Sequence, residues 1–239
     1  MKTVVVTGVS RGLGLATSQR LAADGFKVVG LSRSLSSDYQ ALINSAPEQV
    51  AFLRCDVADL ARVPEVVREV NHAHGPVFGL VNNAGIGLDG VLALMHQTDI
   101  EAVIRTNLLA PIVLTKYFSR TMLSRGEGRI VNISSIIAST GFHGLSVYAA
   151  SKAALEGFTR SLSRELGKLS ITVNCVAPGY METEMTRTLA GEKLEAVRRR
   201  APLGLPLPED AAGAVAFLLS PYAARITGAV IKVDGGSTA

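Results

Sequence analysis

The sequence predicts an α/β fold, a doubly wound parallel sheet of about seven strands with helices on both faces. Short apolar runs rich in β-branched residues recur at 3–7, 27–31, 50–54, 78–81, 129–133, 171–176 and 229–233. Segments with helical periodicity separate them, at about 12–24, 59–73, 97–125, 147–168 and 208–219. Because parallel strands need crossover connections, this alternation favours a parallel sheet. No linker or repeat interrupts it, so a single domain over residues 1–239 is expected.

Composition indicates a compact cytoplasmic protein. Hydrophobic residues make up 48% of the chain and charged residues 18%, which excludes a disordered chain. No apolar run reaches the roughly 18 residues of a membrane span, and the chain enters its first strand without a secretory signal. Cys55 and Cys175 both lie in strand-like segments, which favours buried thiols in a reducing compartment.

The charged and metal-binding residue types suggest neither a nucleic-acid nor a metal site. The net charge of +4 comes from scattered basic residues without interleaved aromatic residues. The run Arg198–Arg200 is either a solvated helix face or a contact for an anionic substrate. The histidines show no ligand spacing, so no metal is expected; they are His72, His74, His96 and His143.

A glycine-rich loop, Thr7–Gly14, joins the first strand to the first helix. Glycines there permit a tight turn and a close approach of backbone to ligand, and the helix N-terminus favours a pyrophosphate. This predicts a Rossmann-like dinucleotide site with contacts from Gly8, Ser10, Arg11, Gly12, Leu13 and Gly14. The literal pattern Gly-x-Gly-x-x-Gly occurs at Gly85–Gly90, but we interpret it as a chance match. No acidic residue follows about twenty positions later, as a dinucleotide-binding motif requires.

The end of the second strand indicates which dinucleotide binds. An NAD site would place an acid there for the ribose 2′-hydroxyl, but this chain has Ser32 and Arg33, and the nearest acid is Asp38 beyond the strand. Arg33, together with Arg11 in the glycine loop, suits a 2′-phosphate. The predicted cofactor is NADP(H), with Ser32 as a further contact.

Tyr148 and Lys152 are four residues apart, which places them on one helix face. An ammonium beside a phenol favours the phenolate and moves the tyrosine pKa towards neutrality, where it can donate a proton. By itself the spacing is also compatible with a packed tyrosine beside a solvated lysine.

From Thr3 to Gly236 the chain resembles the classical short-chain dehydrogenase/reductase family. The shared elements are the loop Thr-Gly-x-x-x-Gly-x-Gly, Asp56-Val57, Asn82-Asn83-Ala84-Gly85, Asn107, Ser135, the Tyr148/Lys152 pair and Pro178-Gly179. Within that family the chain is most similar to bacterial 3-oxoacyl-[acyl-carrier-protein] reductases, in the segment 148–186 and in Ile226-Thr227-Gly228.

The resemblance implies a role for each catalytic residue. Ser135 would hydrogen-bond a substrate carbonyl, and Tyr148 would donate the proton. Lys152 would bind the nicotinamide ribose and lower the pKa of the tyrosine, while Asn107 would hold a water in the proton relay. Ser134 competes for the carbonyl contact, but Ser135 matches the family's thirteen-residue distance to Tyr148.

The resemblance also implies further cofactor contacts and a lid. Asp56 and Val57 would take the adenine, and the turn at 82–85 would pack beside its ribose. Met181 and Thr183 would meet the nicotinamide carboxamide. The implied contacts beyond the glycine loop are therefore Asp56, Val57, Asn83, Ala84, Gly85, Tyr148, Lys152, Pro178, Gly179, Met181 and Thr183. The irregular segment at about 179–207 is expected to close over substrate as a lid.

The implied function is an NADPH-dependent ketoreductase acting on a 3-oxoacyl thioester of acyl carrier protein or CoA. Gly79 stands where many relatives have an Asp, which removes a local hydrogen bond but leaves the catalytic set untouched. Gly126 and Leu169 stand where carrier-protein reductases have basic residues, which leaves the carrier-protein substrate open. A ketoreductase of specialised metabolism and a non-catalytic NADP(H)-binding protein are the alternatives. The family is commonly tetrameric, so a homotetramer is expected, with Leu155, Phe158 and Leu162 as core or subunit interface.

Overall fold

The computed structural model describes residues 1–182 and 191–239. Seven strands form one parallel sheet in the order β3-β2-β1-β4-β5-β6-β7. The strands are β1 (Thr3–Thr7), β2 (Lys27–Ser32), β3 (Val50–Arg54), β4 (Val77–Asn82), β5 (Gly128–Ile133), β6 (Ile171–Pro178) and β7 (Val230–Val233). The predicted α/β class and parallel sheet are confirmed.

The helices lie on both faces of the sheet. They are α1 (Gly12–Ala23), α2 (Ser37–Ser45), α3 (Val63–His74), α4 (Gln97–Ile104), α5 (Ala110–Arg125), α6 (Ile137–Thr140), α7 (Ser146–Leu166), α8 (Glu192–Arg199) and α9 (Pro208–Leu219). Alternate residues of β1 enter opposite cores: Val4 and Val6 pack with α1 and α9, whereas Val5 packs with α3 and α5. Across residues 1–182 and 191–239, no helix has the length and apolar character to cross a membrane.

The strand order reverses between β1 and β4, which continue to opposite sides of the sheet. In an open parallel sheet, the crevice at the carboxyl ends of the strands beside such a reversal is where ligands bind. The Thr7–Gly14 loop leaves β1 at this point and the turn at 82–85 leaves β4 beside it. The fold therefore brings both predicted nucleotide-binding segments to one place.

The helices differ from the sequence expectation at α2, at the short α6 (Ile137–Thr140) and within the predicted helix over 97–125. Helix α2 was not predicted; it starts where the Ser36 hydroxyl accepts a hydrogen bond from the Tyr39 N–H at 3.2 Å, and Tyr39 is its one buried residue. The predicted continuous helix over 97–125 is divided by a π turn, Arg105–Leu109, between α4 and α5. Pro111 follows directly; it lacks an N–H and its ring crowds the preceding turn, which explains why the helical bonding widens at this point.

Candidate active site

The glycine loop has the backbone geometry that its sequence predicts. Gly8 and Gly12 have φ angles of 73° and 54°, a region that disfavours side chains. A Cβ on Gly8 would lie 2.9 Å from the Ala84 Cα, and one on Gly14 would lie 2.1 Å from the Gly8 carbonyl oxygen. Helix α1 begins at Gly12, so its free N–H groups point towards the loop. By contrast, the chance match at 85–90 is followed by a three-residue 3₁₀ turn, Leu92–Leu94, and not directly by an α-helix such as α1.

Thr7 joins the glycine loop to the turn after β4. Its Oγ1 accepts hydrogen bonds from the backbone N–H groups of Asn83 at 3.0 Å and Ala84 at 2.9 Å. In return, the Asn83 side chain donates to the carbonyls of Thr7 at 2.8 Å and Gly8 at 3.2 Å. The sequence showed Thr7 as part of the motif but did not reveal this bridging role.

The two arginines proposed for a 2′-phosphate are both exposed at the same edge of the sheet. Arg11 directly precedes α1, and Arg33 directly follows β2. The ends of β1 and β2 lie side by side, since the Gly8 N–H donates to the Leu31 carbonyl at 2.7 Å. Ser32 is buried and its hydroxyl donates to the Ser34 carbonyl at 2.7 Å, which fixes the turn that carries Arg33.

The serines after β5 occupy different environments. Ser134 is buried, and its hydroxyl donates to Glu156 Oε1 at 2.8 Å. Ser135 is half-buried, and its hydrogen bond with the Tyr148 side chain lowers the pKa of that phenol. Burial has the larger and opposite effect, so the pKa of Tyr148 is raised overall. Of the two serines, Ser135 is the one that meets the tyrosine.

Lys152 is buried beneath Tyr148. Its Nζ lies 5.6 Å from the Tyr148 ring centroid and donates to the Ile133 carbonyl at 2.8 Å. Burial lowers the pKa of Lys152 to about 8. The expectation that Lys152 brings the tyrosine pKa towards neutrality is not met in this structure, because desolvation dominates both groups.

Asn107 lies in the π turn and is fully buried. Its side-chain amide exchanges hydrogen bonds with the backbone of Ile86, accepting from the N–H at 2.8 Å and donating to the carbonyl at 2.9 Å. A Cβ on Gly85 would lie 3.3 Å from Asn107 Oδ1 and 3.5 Å from Lys152 Nζ. The glycine thus leaves open the space between these two polar groups.

The remaining predicted cofactor residues lie at the same carboxyl edge, with one exception. Asp56 follows β3 in an exposed position, and its carboxylate accepts from the Ala58 N–H at 3.0 Å. Val57 is buried beside it. Pro178 ends β6, and Gly179 packs so closely that a Cβ would lie 2.8 Å from the Asp234 Cα. Met181 packs against the core that contains α1 and α9. Thr183 lies outside the described residues, as does part of the predicted lid.

Glu156 is a site residue that sequence reasoning missed. It lies four residues after Lys152 on α7 and accepts the hydrogen bond from Ser134. The spacing of four was a signal, because it places Glu156 on the helix face of Tyr148 and Lys152.

Other candidate reactive groups are either inert or absent from the part of the chain that is described. Burial raises the pKa of Cys55 to about 11 and that of Cys175 to about 12, so both thiols are protonated at neutral pH. No group of three or more His, Cys, Asp or Glu residues within 1–182 and 191–239 could hold a metal ion.

A doubly wound sheet with a glycine loop, and with a serine, tyrosine and lysine at its carboxyl edge, is the architecture of a dinucleotide-dependent oxidoreductase. A family profile described as short chain dehydrogenase matches residues 2–193, and the chain belongs to this family.

Relatives and a solved structure resemble nearly the whole chain. It is 40% identical over 236 residues to the 3-oxoacyl-[acyl-carrier-protein] reductase FabG of Escherichia coli (strain K12), covering 98% of this chain and 96% of that protein. It is also 40% identical over 240 residues to the 3-oxoacyl-[acyl-carrier-protein] reductase MabA of Mycobacterium bovis, covering 98% and 92%. A blue fluorescent protein from a metagenomic library, crystallised in complex with NADPH, has a TM-score of 0.92 at 39% identity and covers 100% of this chain and 98% of its own. The predicted family and enzyme class are confirmed.

Proposed function

We propose that this ketoreductase reduces the 3-oxo group of an acyl thioester, carried by acyl carrier protein or CoA, to the 3-hydroxy group. The observation that carries the proposal is the contact between Ser135 and Tyr148 above the buried Lys152. The two reductases of acyl-carrier-protein substrates that match nearly the full chain support the thioester.

NADP(H) is the cofactor. The structural relative of 39% identity is described in complex with NADPH, and the residues here fit that molecule. Gly8 and Gly14 permit the close backbone packing that holds the loop at the N-terminus of α1, where a pyrophosphate is favoured, and the exposed Arg11 and Arg33 suit the 2′-phosphate. When bound, NADPH supplies the hydride.

In the proposed mechanism the side chains bind the ketone and deliver the proton. Reduction of a ketone develops negative charge on its oxygen, which a hydrogen bond from Ser135 stabilises. Tyr148 donates its phenolic proton to that oxygen. Its raised pKa keeps the phenol protonated at neutral pH, ready to donate. Lys152, with a pKa of about 8, then returns a proton to the phenolate, and the space at Gly85 between it and Asn107 suits a relay water.

The substrate test compares turnover of three ketones with purified protein and NADPH. Acetoacetyl-CoA and acetoacetyl carrier protein should be reduced, and a simple ketone without a thioester should react at least tenfold more slowly by kcat/KM. Tyr148→Phe should lose turnover of both thioesters while retaining NADPH binding, which the fluorescence of the bound nicotinamide reports. Reduction of the simple ketone alone would reject the thioester assignment, and NADPH binding with no reduction of any ketone would favour a non-catalytic protein.

The preference between acyl carrier protein and CoA depends on the surface around Gly126 and Leu169. This surface lacks the two basic residues of the carrier-protein reductases. Gly126 ends α5, and the neighbouring Arg125 lies 3.4 Å from Glu127, which also holds Lys2 at 2.7 Å. Lys168 is exposed near Leu169. An acidic carrier would therefore meet one lysine and a partly neutralised arginine, and we propose that the CoA thioester is used at least as well. A much higher kcat/KM for the carrier protein would overturn this preference.

We further propose a homotetramer and a lid over 179–207. On α7, Leu155 is buried whereas Phe158 and Leu162 are only half-buried, which leaves apolar surface for a partner subunit. Arg198 of α8 forms an ion pair with Glu182, which joins α8 to the chain after β6, and a second pair with Glu195 within the helix. Light scattering of purified protein tests the assembly; a monomer would refute it.

A further inference from the structure

A cavity of about 310 Å³ lies at the opposite edge of the sheet from the glycine loop. It is lined by the starts of β5 and β6 and by the loop before β7, with polar lining from Arg129, Ser170, Thr172, Arg225 and Thr227. We call it the basal cavity. Arg129 is the second residue of β5, and Ser135 follows six residues later, roughly 20 Å further along an extended strand. The basal cavity is therefore separate from the catalytic residues.

Two deeply buried side chains that line the basal cavity have polar atoms without partners. Arg129 is 9% exposed and its Nε has no hydrogen-bond acceptor, while Thr172 is 6% exposed and its Oγ1 has no partner. The two residues are directly paired in the register of β5 and β6, so both side chains leave the same face of the sheet. Buried polar atoms are nearly always satisfied, which points to a ligand here.

The Arg129 guanidinium forms no ion pair within residues 1–182 and 191–239; burial lowers its pKa, and the charge of Glu127, which pairs with Lys2 and Arg125, opposes that shift only in part. Its Nη1 donates to the carbonyls of Gly128 at 2.8 Å and Ser170 at 3.3 Å. Its register partner on β4 is Gly79, which has no side chain, and its Cζ lies 5.5 Å from the Phe78 ring centroid. A buried and unpaired cation is costly unless an anion accompanies it.

A second cation lines the same cavity. Arg225 is exposed and forms no ion pair with any residue that the structure describes. Two guanidiniums and the hydroxyl of Thr172 make a set of donors that matches the oxygens of a tetrahedral oxyanion. No carboxylate lines the cavity, so the set does not suit a metal ion.

We propose that the basal cavity binds a phosphate group, with Arg129 Nε and Thr172 Oγ1 as buried donors and Arg225 closing over the exposed oxygens. The volume exceeds that of one tetrahedral ion, so both free phosphate and a small phosphate monoester fit. The proposal does not depend on the ketone substrate, because the basal cavity is separate from the catalytic residues.

Calorimetric titration with inorganic phosphate tests the site in purified full-length protein. Arg225→Gln and Thr172→Val should each raise the dissociation constant at least tenfold. Arg33→Gln should leave it unchanged, because that arginine belongs to the proposed cofactor site. Far-UV circular dichroism and the unfolding midpoint check that each variant is folded. Arg129 is not substituted, because it also holds two backbone carbonyls.

A crystal soaked in tungstate, a tetrahedral oxyanion, should show an anomalous peak between Arg129 and Arg225. Glycerol 3-phosphate, titrated in parallel, identifies the source: tighter binding than phosphate assigns the site to a phosphate monoester, and equal or weaker binding assigns it to the free ion. The proposal is overturned if phosphate does not bind, if Arg225→Gln and Thr172→Val bind it like wild type, or if Arg33→Gln removes the signal.

Discussion

The burial of Lys152 predicts how the stability of this enzyme changes with pH. The ordinary pKa of 10.5 falls to about 8 in the folded chain. Between these values the unfolded chain binds the proton and the folded chain does not. Stability must therefore rise with pH across this window, and the destabilising contribution is fully present below pH 8.

The size of the effect follows from linkage. With these two pKa values, Lys152 destabilises the folded chain by roughly 3 kcal/mol at pH 7 and by roughly 1 kcal/mol at pH 10. Lys152→Met removes this titration. The free energy of unfolding of wild type should thus gain about 2 kcal/mol relative to Lys152→Met between these two pH values. Taking the difference between two proteins cancels the titration of the other groups.

Urea unfolding followed by far-UV circular dichroism measures this difference, since the chain has no tryptophan to report by fluorescence. Lys168→Met, at an exposed lysine, is the control and should follow wild type at every pH. A constant difference between wild type and Lys152→Met from pH 7 to pH 10 would refute the reasoning, as would a difference that changes in the opposite direction.

Three further predictions concern the cofactor, the serines and the loop bridge. Arg33→Asp should lower the ratio of kcat/KM for NADPH to that for NADH at least tenfold, because it replaces a phosphate-binding charge with a repelling one, whereas Arg68→Asp on the exposed face of α3 should leave the ratio unchanged. Ser135→Ala should lower kcat about 100-fold by removing the oxygen contact. Ser134→Ala should instead lower the free energy of unfolding by about 1–2 kcal/mol and keep turnover within about tenfold, since its hydroxyl donates to Glu156. A large loss of kcat in Ser134→Ala, with little loss in Ser135→Ala, would exchange the roles of the two serines. Thr7→Val should cost about 2–5 kcal/mol, because two backbone N–H groups lose their acceptor, and Thr7→Ser should restore most of it; equal losses in both variants would show that the methyl group, not the hydroxyl, matters.

The strands were predictable because parallel strands buried on both faces are continuous apolar runs. All seven appear within two residues of the expected positions, and the helix at 208–219 has the expected bounds. Helix α2 was missed because a segment that buries one residue, Tyr39, has no apolar stripe. The π turn was missed because apolar periodicity hardly changes when one turn widens; Pro111, inside the expected helix, was the available signal.

The candidate site was predictable where chemistry depends on spacing along the chain. Tyr148 and Lys152 meet because they are four apart on α7, and the glycines are required by the tight approach of backbone at Gly8 and Gly14. Ser135 could be separated from Ser134 only by resemblance, since the preference depends on which hydroxyl is engaged by Glu156. The direction of the Tyr148 pKa shift could not be predicted, because a sequence shows the neighbouring charge but not the depth of burial.

The buried lysine connects stability with catalysis. A lysine with a pKa near 8 exchanges its proton easily at neutral pH, whereas one at 10.5 would hold it. The desolvation that shifts the pKa also destabilises the fold. Packing of the surrounding core, and not the interactions of Lys152 itself, therefore keeps this lysine buried. Its hydrogen bond to the Ile133 carbonyl at the end of β5 fixes the ammonium beneath Tyr148 without neutralising its charge. An apolar residue at position 152 would remove that desolvation cost but also the proton source, which is why we expect the pH-dependent cost and the turnover to be lost together in Lys152→Met.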